Sequence, residues 1–225
     1  MNAAGAEVVE GLAREVDARL VGVTGGVASG KSTLATAVAG RLGAPVLATD
    51  GFLFPNVVLA ERGIAHRKGF PESFDAAALA AALDRWRAAG QVVVPTYSHL
   101  HYDVTGERSV SGDSLVVEGL HLAHPDLRVR ERFDLLVHVD ADDDLLAGWY
   151  LERFRQLRAA AAADPTAFLH PYRDVPGEAM DAMAMQVWDD VNLVVLHDEV
   201  RPHAHRADVV VRLGPDHDVV AVERA

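Results

Sequence analysis

The chain has 225 residues, no cysteine, and 33 acidic against 21 basic side chains, a formal net charge of −12. That balance argues against a nucleic-acid partner, which needs a basic face to displace counterions, and the missing cysteines exclude disulfides, thiolate metal sites and a thiol nucleophile. With 50% hydrophobic and 24% charged residues, the composition is that of a globular protein long enough for one sizeable core. No run reaches the roughly 18 apolar residues of a membrane span, and the small, acidic N-terminus lacks a signal pattern. A cytoplasmic protein without a membrane partner is expected.

Helical spacing runs from Glu7 to Leu20, and Leu20 to Thr24 then reads as a short buried strand ending in glycines. Ser32 to Leu42 is a helix, and Pro45 to Thr49 a second apolar strand. Asp75 to Ala89 is an amphipathic helix with Leu79, Leu83 and Trp86 on one face, closed by Gly90; Val92 to Val94 is a strand stopped by Pro95. Ser114 to Val117 and Leu135 to Val139 are continuous apolar runs, the mark of parallel strands buried on both faces. Asp142 to Ala163 and Glu178 to Val191 are helical, and Ala207 to Leu213 is a late strand. Strands spread along the chain with helices between them predict one α/β domain over residues 1–225, a doubly wound, mainly parallel sheet with helices on both faces.

Between the first strand and its helix, Gly25-Gly26-Val27-Ala28-Ser29-Gly30-Lys31-Ser32 fits the pattern G-x-x-x-x-G-K-[ST]. Backbone N–H groups converging on phosphate oxygens need glycine where a Cβ would collide or where φ is positive. In that geometry Lys31 reaches the outer phosphates, the Ser32 hydroxyl ligates Mg²⁺, and the helix presents its positive end to the nucleotide. Thr33 completes the nucleotide-binding run, so ATP with Mg²⁺ is the expected cofactor pair. No Asn-Lys-x-Asp guanine reader exists, and Asp103-Val104-Thr105-Gly106, which fits a short switch pattern, lacks a convincing preceding strand and is read as chance. Asp50 follows the second strand and therefore shares the carboxyl edge of the sheet with the phosphate loop, where a residue orienting an acceptor hydroxyl would stand. Glu118 ends another strand at that edge and is a candidate to bind Mg²⁺ directly or through water.

Several segments in order resemble the bacterial type I pantothenate kinases, within the wider group of phosphate-loop kinases that includes uridine kinase and phosphoribulokinase. These are Thr49-Asp50-Gly51-Phe52-Leu53-Phe54-Pro55-Asn56, Arg67-Lys68-Gly69-Phe70-Pro71-Glu72-Ser73-Phe74-Asp75, Pro95-Thr96-Tyr97-Ser98-His99-Leu100-His101-Tyr102-Asp103, Val117-Glu118-Gly119-Leu120, Trp149-Tyr150-Leu151-Glu152-Arg153-Phe154, and the tail from Val191-Asn192-Leu193 to Asp216-His217-Asp218-Val219. The resemblance spans about Leu20 to Val222. It implies a phosphate-loop kinase fold with a helical lid at about 142–172, phosphorylation of the primary hydroxyl of a small metabolite, pantothenate first, and a homodimer. It assigns catalysis to Asp50, Lys31, Lys68 and Arg153, the acceptor pocket to Tyr97, His99, Tyr102, Tyr150 and Asn192, and a place beside adenine to His217.

Some positions depart from the family. Three usually aromatic lid positions are Leu157, Ala162 and Phe168, an expected asparagine is Val195, and the basic residue through which coenzyme A inhibits better-known members corresponds to Thr36. The family's N-terminal region is also longer than the one before Gly25. A uridine-type nucleoside kinase is the alternative reading, and a non-catalytic nucleotide-binding protein a more distant one. Asp140-Ala141-Asp142-Asp143-Asp144 is not a calcium loop, because Leu145 and Leu151 stand where Gly and Glu are needed. His121 with His124, and His203 with His205, are read as solvated loop histidines rather than metal ligands.

Overall fold

In the computed structural model, which describes residues 3–224, the glycine-ending strand is the hub. Strand β1 (Leu20–Gly25) is buried at all six positions. It pairs in parallel with β5 (Leu115–Gly119) on one side and β6 (Leu135–Asp140) on the other, with Val23 opposite both Glu118 and Val137. The continuous apolar runs thus occupy the centre of the sheet, where both faces are covered. Among the described residues the main sheet has six strands, ordered β2-β5-β1-β6-β7-β8. Strand β2 (Val46–Ala48) is one parallel edge; β7 (Val209–Leu213) is parallel to β6, and β8 (Val219–Arg224) closes the other edge antiparallel to β7.

One face packs against α1 (Ala3–Glu15) and α2 (Lys31–Leu42), with Val21, Val23, Leu34, Val38 and Val137 in a shared core. The other packs against α4 (Ala76–Ala89), where Trp86 is fully buried with Leu20, Leu79, Leu83 and Leu136. Asp75 caps α4 by accepting from the Ala78 N–H at 2.8 Å, and Gly90 ends it in a left-handed turn. The short α3 (Asn56–Glu61) lies between β2 and α4.

The third strand runs through the proline that was expected to stop it. β3 (Gln91–Ser98) pairs antiparallel with β4 (Asp103–Ser111), and the two form a separate ribbon. Pro95 is tolerated because a two-stranded ribbon is all edge and the missing N–H breaks no interior ladder. Asp103 to Gly106 lies inside β4.

Helix α5 (Asp143–Ala162) leaves the end of β6 with Asp143 and Asp144 in its first turn, as the helix dipole favours. The helix expected over Glu178 to Val191 is α6 (Gly177–Val187) followed by a wide π-type turn, Trp188–Asn192, and the winding runs on past the expected end to a second, Val195–Val200. Arg201, just past them, clamps the start of α5. Its guanidinium donates to Asp140 Oδ1 at 3.1 Å, Asp143 Oδ1 at 2.6 Å and the Ala141 carbonyl at 2.8 Å. The acidic run is therefore tied to this arginine. No helix of the described residues is long and apolar enough to cross a membrane.

Candidate active site

The phosphate loop connects β1 to α2 as its residue pattern requires. Gly25 takes φ +154, and a Cβ on it would sit 2.3 Å from the Val139 carbonyl oxygen, so only glycine lets β1 turn this close to β6. Ala28 adopts φ +62, a left-handed conformation that costs an alanine on the order of 1 kcal/mol. Lys31 is buried, its Nζ 3.4 Å from the Gly26 carbonyl. Ser29 Oγ and Thr49 Oγ1 are buried with no hydrogen-bond partner in the protein. A glycine-bearing loop with a buried lysine and the unpartnered hydroxyl of Ser29, at the N-terminus of α2, suits a polyphosphate. Beyond it, Thr24 Oγ1 donates to the Leu120 carbonyl at 2.8 Å and fixes the loop after β5.

Glu118, 9% exposed, reaches the same space from the end of β5 and lines it beside Ser32. Burial pushes its carboxyl up, against the pull of the Lys31 ammonium. A hydroxyl and a carboxylate side by side, next to a phosphate cradle, are the hard oxygen donors that suit a small divalent cation.

A cavity of about 550 Å³ opens over the loop, lined by Ala28, Gly30, Lys31, Ser32, Thr33 and Glu118 on the sheet side. From α5 come Trp149, Glu152, Arg153 and Gln156, and His99 and His217 complete the wall. Arg153 makes no ion pair among the described residues and turns its charge to this space. A second cavity of about 120 Å³ is lined by Ala48, Asp50, Tyr97, His99 and Arg108 among others. His99 thus stands between the two, with Nε2 3.6 Å from Asp50 Oδ2. Burial, reinforced by Arg153, lowers the His99 pKa, so its ring is neutral beside the Asp50 carboxylate. Asp50 is positioned by Gly51, whose missing Cβ would lie 2.2 Å from the Pro95 carbonyl oxygen; the ribbon rests directly on this turn.

The tyrosines come together as the sequence suggests. Tyr97 packs edge-on to His99 at 5.2 Å and to Tyr102 at 6.3 Å between ring centroids. Tyr150 stands near Asn192, carried by the first π-type turn, and leans on Trp188. Burial raises the pKa of all three phenols, which stay protonated as hydrogen-bond donors. Phe168 packs on Tyr102 at 4.8 Å, so one lid position still supplies an aromatic wall. Val195 is buried in the core, and Thr36 Oγ1 donates back to the Ser32 carbonyl at 2.8 Å.

Lys68 stands apart from this pattern. It does not line the larger cavity. Its Nζ donates to Asn56 Oδ1 and to the Tyr102 carbonyl, both at 2.6 Å, and sits 3.9 Å from the Tyr102 ring centroid. Burial lowers its pKa to about 8. Asn56 adds a bond from Nδ2 to the same Tyr102 carbonyl at 2.9 Å, and its N–H donates to Asp103 Oδ1 at 3.0 Å. Lysine and asparagine together hold the tip of the ribbon, where Tyr102 takes φ +55. Sequence reasoning assigned no role to Asn56, Trp149, Glu152 or Gln156. Helical spacing from Arg153 was the available signal for Trp149 and Gln156, at positions −4 and +3; Glu152, one residue before it, had none.

Of the histidines read as solvated, His121 and His124 are instead buried, packed ring to edge against each other. Among the described residues no group of three or more His, Asp or Glu side chains is arranged to hold a metal. His124 contacts Glu199 at 3.1 Å and packs on His203, and His205 Nδ1 donates to the Pro202 carbonyl at 2.8 Å.

Residues 20–164 match the model of the phosphoribulokinase/uridine kinase family. A pantothenate kinase of Sorangium cellulosum is 40% identical over 219 residues, covering 90% of this chain and 71% of that protein. The chain belongs to the pantothenate kinase group of this family. The pantothenate kinase of Shouchella clausii is 38% identical over 223 residues, covering 91% of this chain and 71% of its own. A putative fructose transport system kinase from Silicibacter shares the fold, with a TM-score of 0.67 at 21% identity over 90% of this chain and 95% of that one. As a member of the family, the chain is a nucleotide-binding, ATP-dependent small-molecule kinase of phosphate-loop fold.

Proposed function

We propose that the chain transfers the γ-phosphoryl group of ATP to the primary hydroxyl of pantothenate, the first step of coenzyme A biosynthesis. The observation that carries this reading is His99, which joins the wall of the phosphate-loop cavity to the small cavity of Asp50 and Tyr97. An acceptor hydroxyl at Asp50 and a phosphoryl donor at Lys31 would meet across that ring.

Phosphoryl transfer is mostly positioning and charge neutralisation. In this reading Asp50 accepts the hydroxyl proton, and neutral His99 fixes the carboxylate without competing for its charge. Lys31 and Arg153 balance the charge that spreads over the moving phosphoryl oxygens. The phosphate-loop amides of Gly25 to Thr33, with Val27 and Ser29 among them, hold the inner phosphates. Ser32 and Glu118 would hold Mg²⁺, whose contribution when bound is charge neutralisation at the outer phosphate oxygens. The protonated hydroxyls of Tyr97, Tyr102 and Tyr150, with the Asn192 amide, suit the amide and carboxylate oxygens of pantothenate. Lys68 acts on the acceptor side through the ribbon tip. Helix α5 and the turns to residue 172 serve as a lid that excludes water. A cytoplasmic homodimer belongs to the same reading, and sedimentation at assay concentration checks the subunit number.

A coupled ADP-release assay across pantothenate, uridine, cytidine and glycerate tests the acceptor. Turnover of pantothenate is expected; turnover of a nucleoside with none of pantothenate overturns the assignment. Asp50→Asn should keep ATP binding and lose turnover, and unchanged turnover would remove Asp50 from its role.

A further inference from the structure

One ring at the ribbon tip has no part in the chemistry above. His101 lies in the turn between β3 and β4 and has a partner at each nitrogen, one on its own ribbon and one in the turns that follow α5. Nδ1 is 2.8 Å from Ser98 Oγ, and Nε2 is 3.1 Å from Thr166 Oγ1. Asp164 fixes the order of the protons. Its Oδ1 accepts from the Thr166 hydroxyl at 2.7 Å and from the Thr166 N–H at 2.9 Å, so the threonine has no proton left for the ring. Nε2 therefore carries hydrogen and donates to Thr166 Oγ1, and Nδ1 accepts from Ser98. Ser98 Oγ in turn accepts from the His101 N–H at 3.2 Å. The donors all point one way, from ribbon to lid, and end on a carboxylate whose Oδ2 lies 3.7 Å from Nε2.

We propose that His101 is a positioning residue for the acceptor: its ring clasps the end of the lid to the ribbon tip and so sets Phe168 against Tyr102. The proposal rests on the reading that the acceptor binds at Tyr97 and Tyr102. His101 and Thr166 are 65 residues apart in the chain, and beside them the two segments share one main-chain bond, from the Phe168 N–H to the Leu100 carbonyl at 2.9 Å. A single bond is a hinge, about which Phe168 could swing away from the Tyr102 ring that it meets at 4.8 Å. A second attachment next to the first restricts that rotation and spares the acceptor the cost of ordering the wall as it binds. Imidazole suits the task because its two nitrogens face opposite ways and span two hydroxyls at once. The clasp also joins the lid to the acceptor side alone, since neither His101 nor Thr166 lines the phosphate-loop cavity.

The full-length protein with His101→Ala, His101→Asn and His101→Gln tests this with pantothenate and ATP. An asparagine amide falls near the place of Nδ1 and a glutamine amide near that of Nε2, so Asn keeps the ribbon half of the clasp and Gln the lid half. His101→Ala and His101→Asn should raise KM for pantothenate about fivefold, the scale of one lost hydrogen bond. KM for ATP should stay unchanged, and His101→Gln should recover most of the loss. Thr166→Val should match His101→Ala, and the double variant should be no worse than either, because both break the same clasp. Hydrogen exchange of the Phe168 amide, followed without substrates, should quicken in His101→Ala and His101→Asn but not in His101→Gln. Full recovery in His101→Asn would confine the ring to the ribbon and overturn the clasp. So would equal rises in KM for ATP and pantothenate, which mark general damage, or an unchanged KM and exchange rate in His101→Ala. A wild type that does not phosphorylate pantothenate removes the acceptor assignment alone, and exchange at Phe168 then decides the clasp.

Discussion

On the phosphate side, the ends of β1, β5 and β6, strands buried on both faces, and the start of α2 set the site with backbone atoms and side chains close to the backbone. On the acceptor side, Tyr97, His99 and Tyr102 project from a ribbon outside the main sheet, and Lys68 and Asn56 hold its tip. A cradle of buried backbone has little freedom and binds the invariant part of the donor. A ribbon positioned by a few polar contacts can be reshaped without disturbing the sheet, which suits the part of the site that chooses an acceptor.

Four measurements would break or sharpen this contrast. Lys31→Met should lower turnover on the order of 10³-fold, because it removes a preorganised cation from the transition state; a loss confined to acceptor KM would erase the distinction. The next effect comes with acid. His121 and His138 each have a pKa lowered to about 4 by burial, one under each region. His121 donates to the Gly69 carbonyl at 2.7 Å beside Lys68, and His138 lies on β6 opposite Thr24 with both ring nitrogens unpartnered. Between about pH 6.5 and 4 the unfolded chain binds protons that the native state refuses. The stability contributed by these neutral rings is full above that window and lost as pH falls through it, at up to about 1.4 kcal/mol per pH unit for each. Urea titrations from pH 7 to 4 measure the slope, and His138→Leu should remove one proton's share.

A smaller effect separates the sides directly. Lys68→Met should raise acceptor KM about tenfold through the displaced ribbon tip, with KM for ATP nearly constant. A matching rise for ATP would make Lys68 a phosphate ligand after all. The smallest concerns Arg155, which pairs with Asp181 across α5 and α6 at 2.8 Å on the exposed surface. Arg155→Ala should leave Tm and turnover unmoved, since an exposed pair is screened by solvent.

The phosphate side was legible in the sequence because its chemistry needs residue types at fixed spacing: Gly25, Gly30, Lys31 and Ser32 sit on consecutive local structure, and Glu118 lies near the end of an apolar strand. On the acceptor side, Asp50 was legible from its place just after β2, and the rest only through family resemblance. β4 is polar and mostly exposed, so no alternation marks Asp103–Ser111 as a strand. The resemblance put Lys68 among the catalytic residues near the phosphates, but a matched position does not give a direction; Asn56, twelve residues upstream, accepts from its ammonium. The π-type turns have no compositional signature, and they set the position of Asn192.

The Arg201 clamp carries a consequence for amplitude. It bolts the first turn of α5 to the end of β6, while the far part of α5 is tied to the turns after it, Arg158 donating to the Val175 carbonyl and His170 to that of Ala161. A helix bolted at one end is a lever, and at 1.5 Å per residue Trp149, Arg153 and Gln156 stand roughly 10, 16 and 21 Å from the fulcrum. Displacement scales with those arms: any swing at the tryptophan is about half as large again at the arginine and about twice as large at the glutamine. The fulcrum thus gives the ring nearest to it the shortest stroke, and the guanidinium further out a longer one for the same turn of the helix.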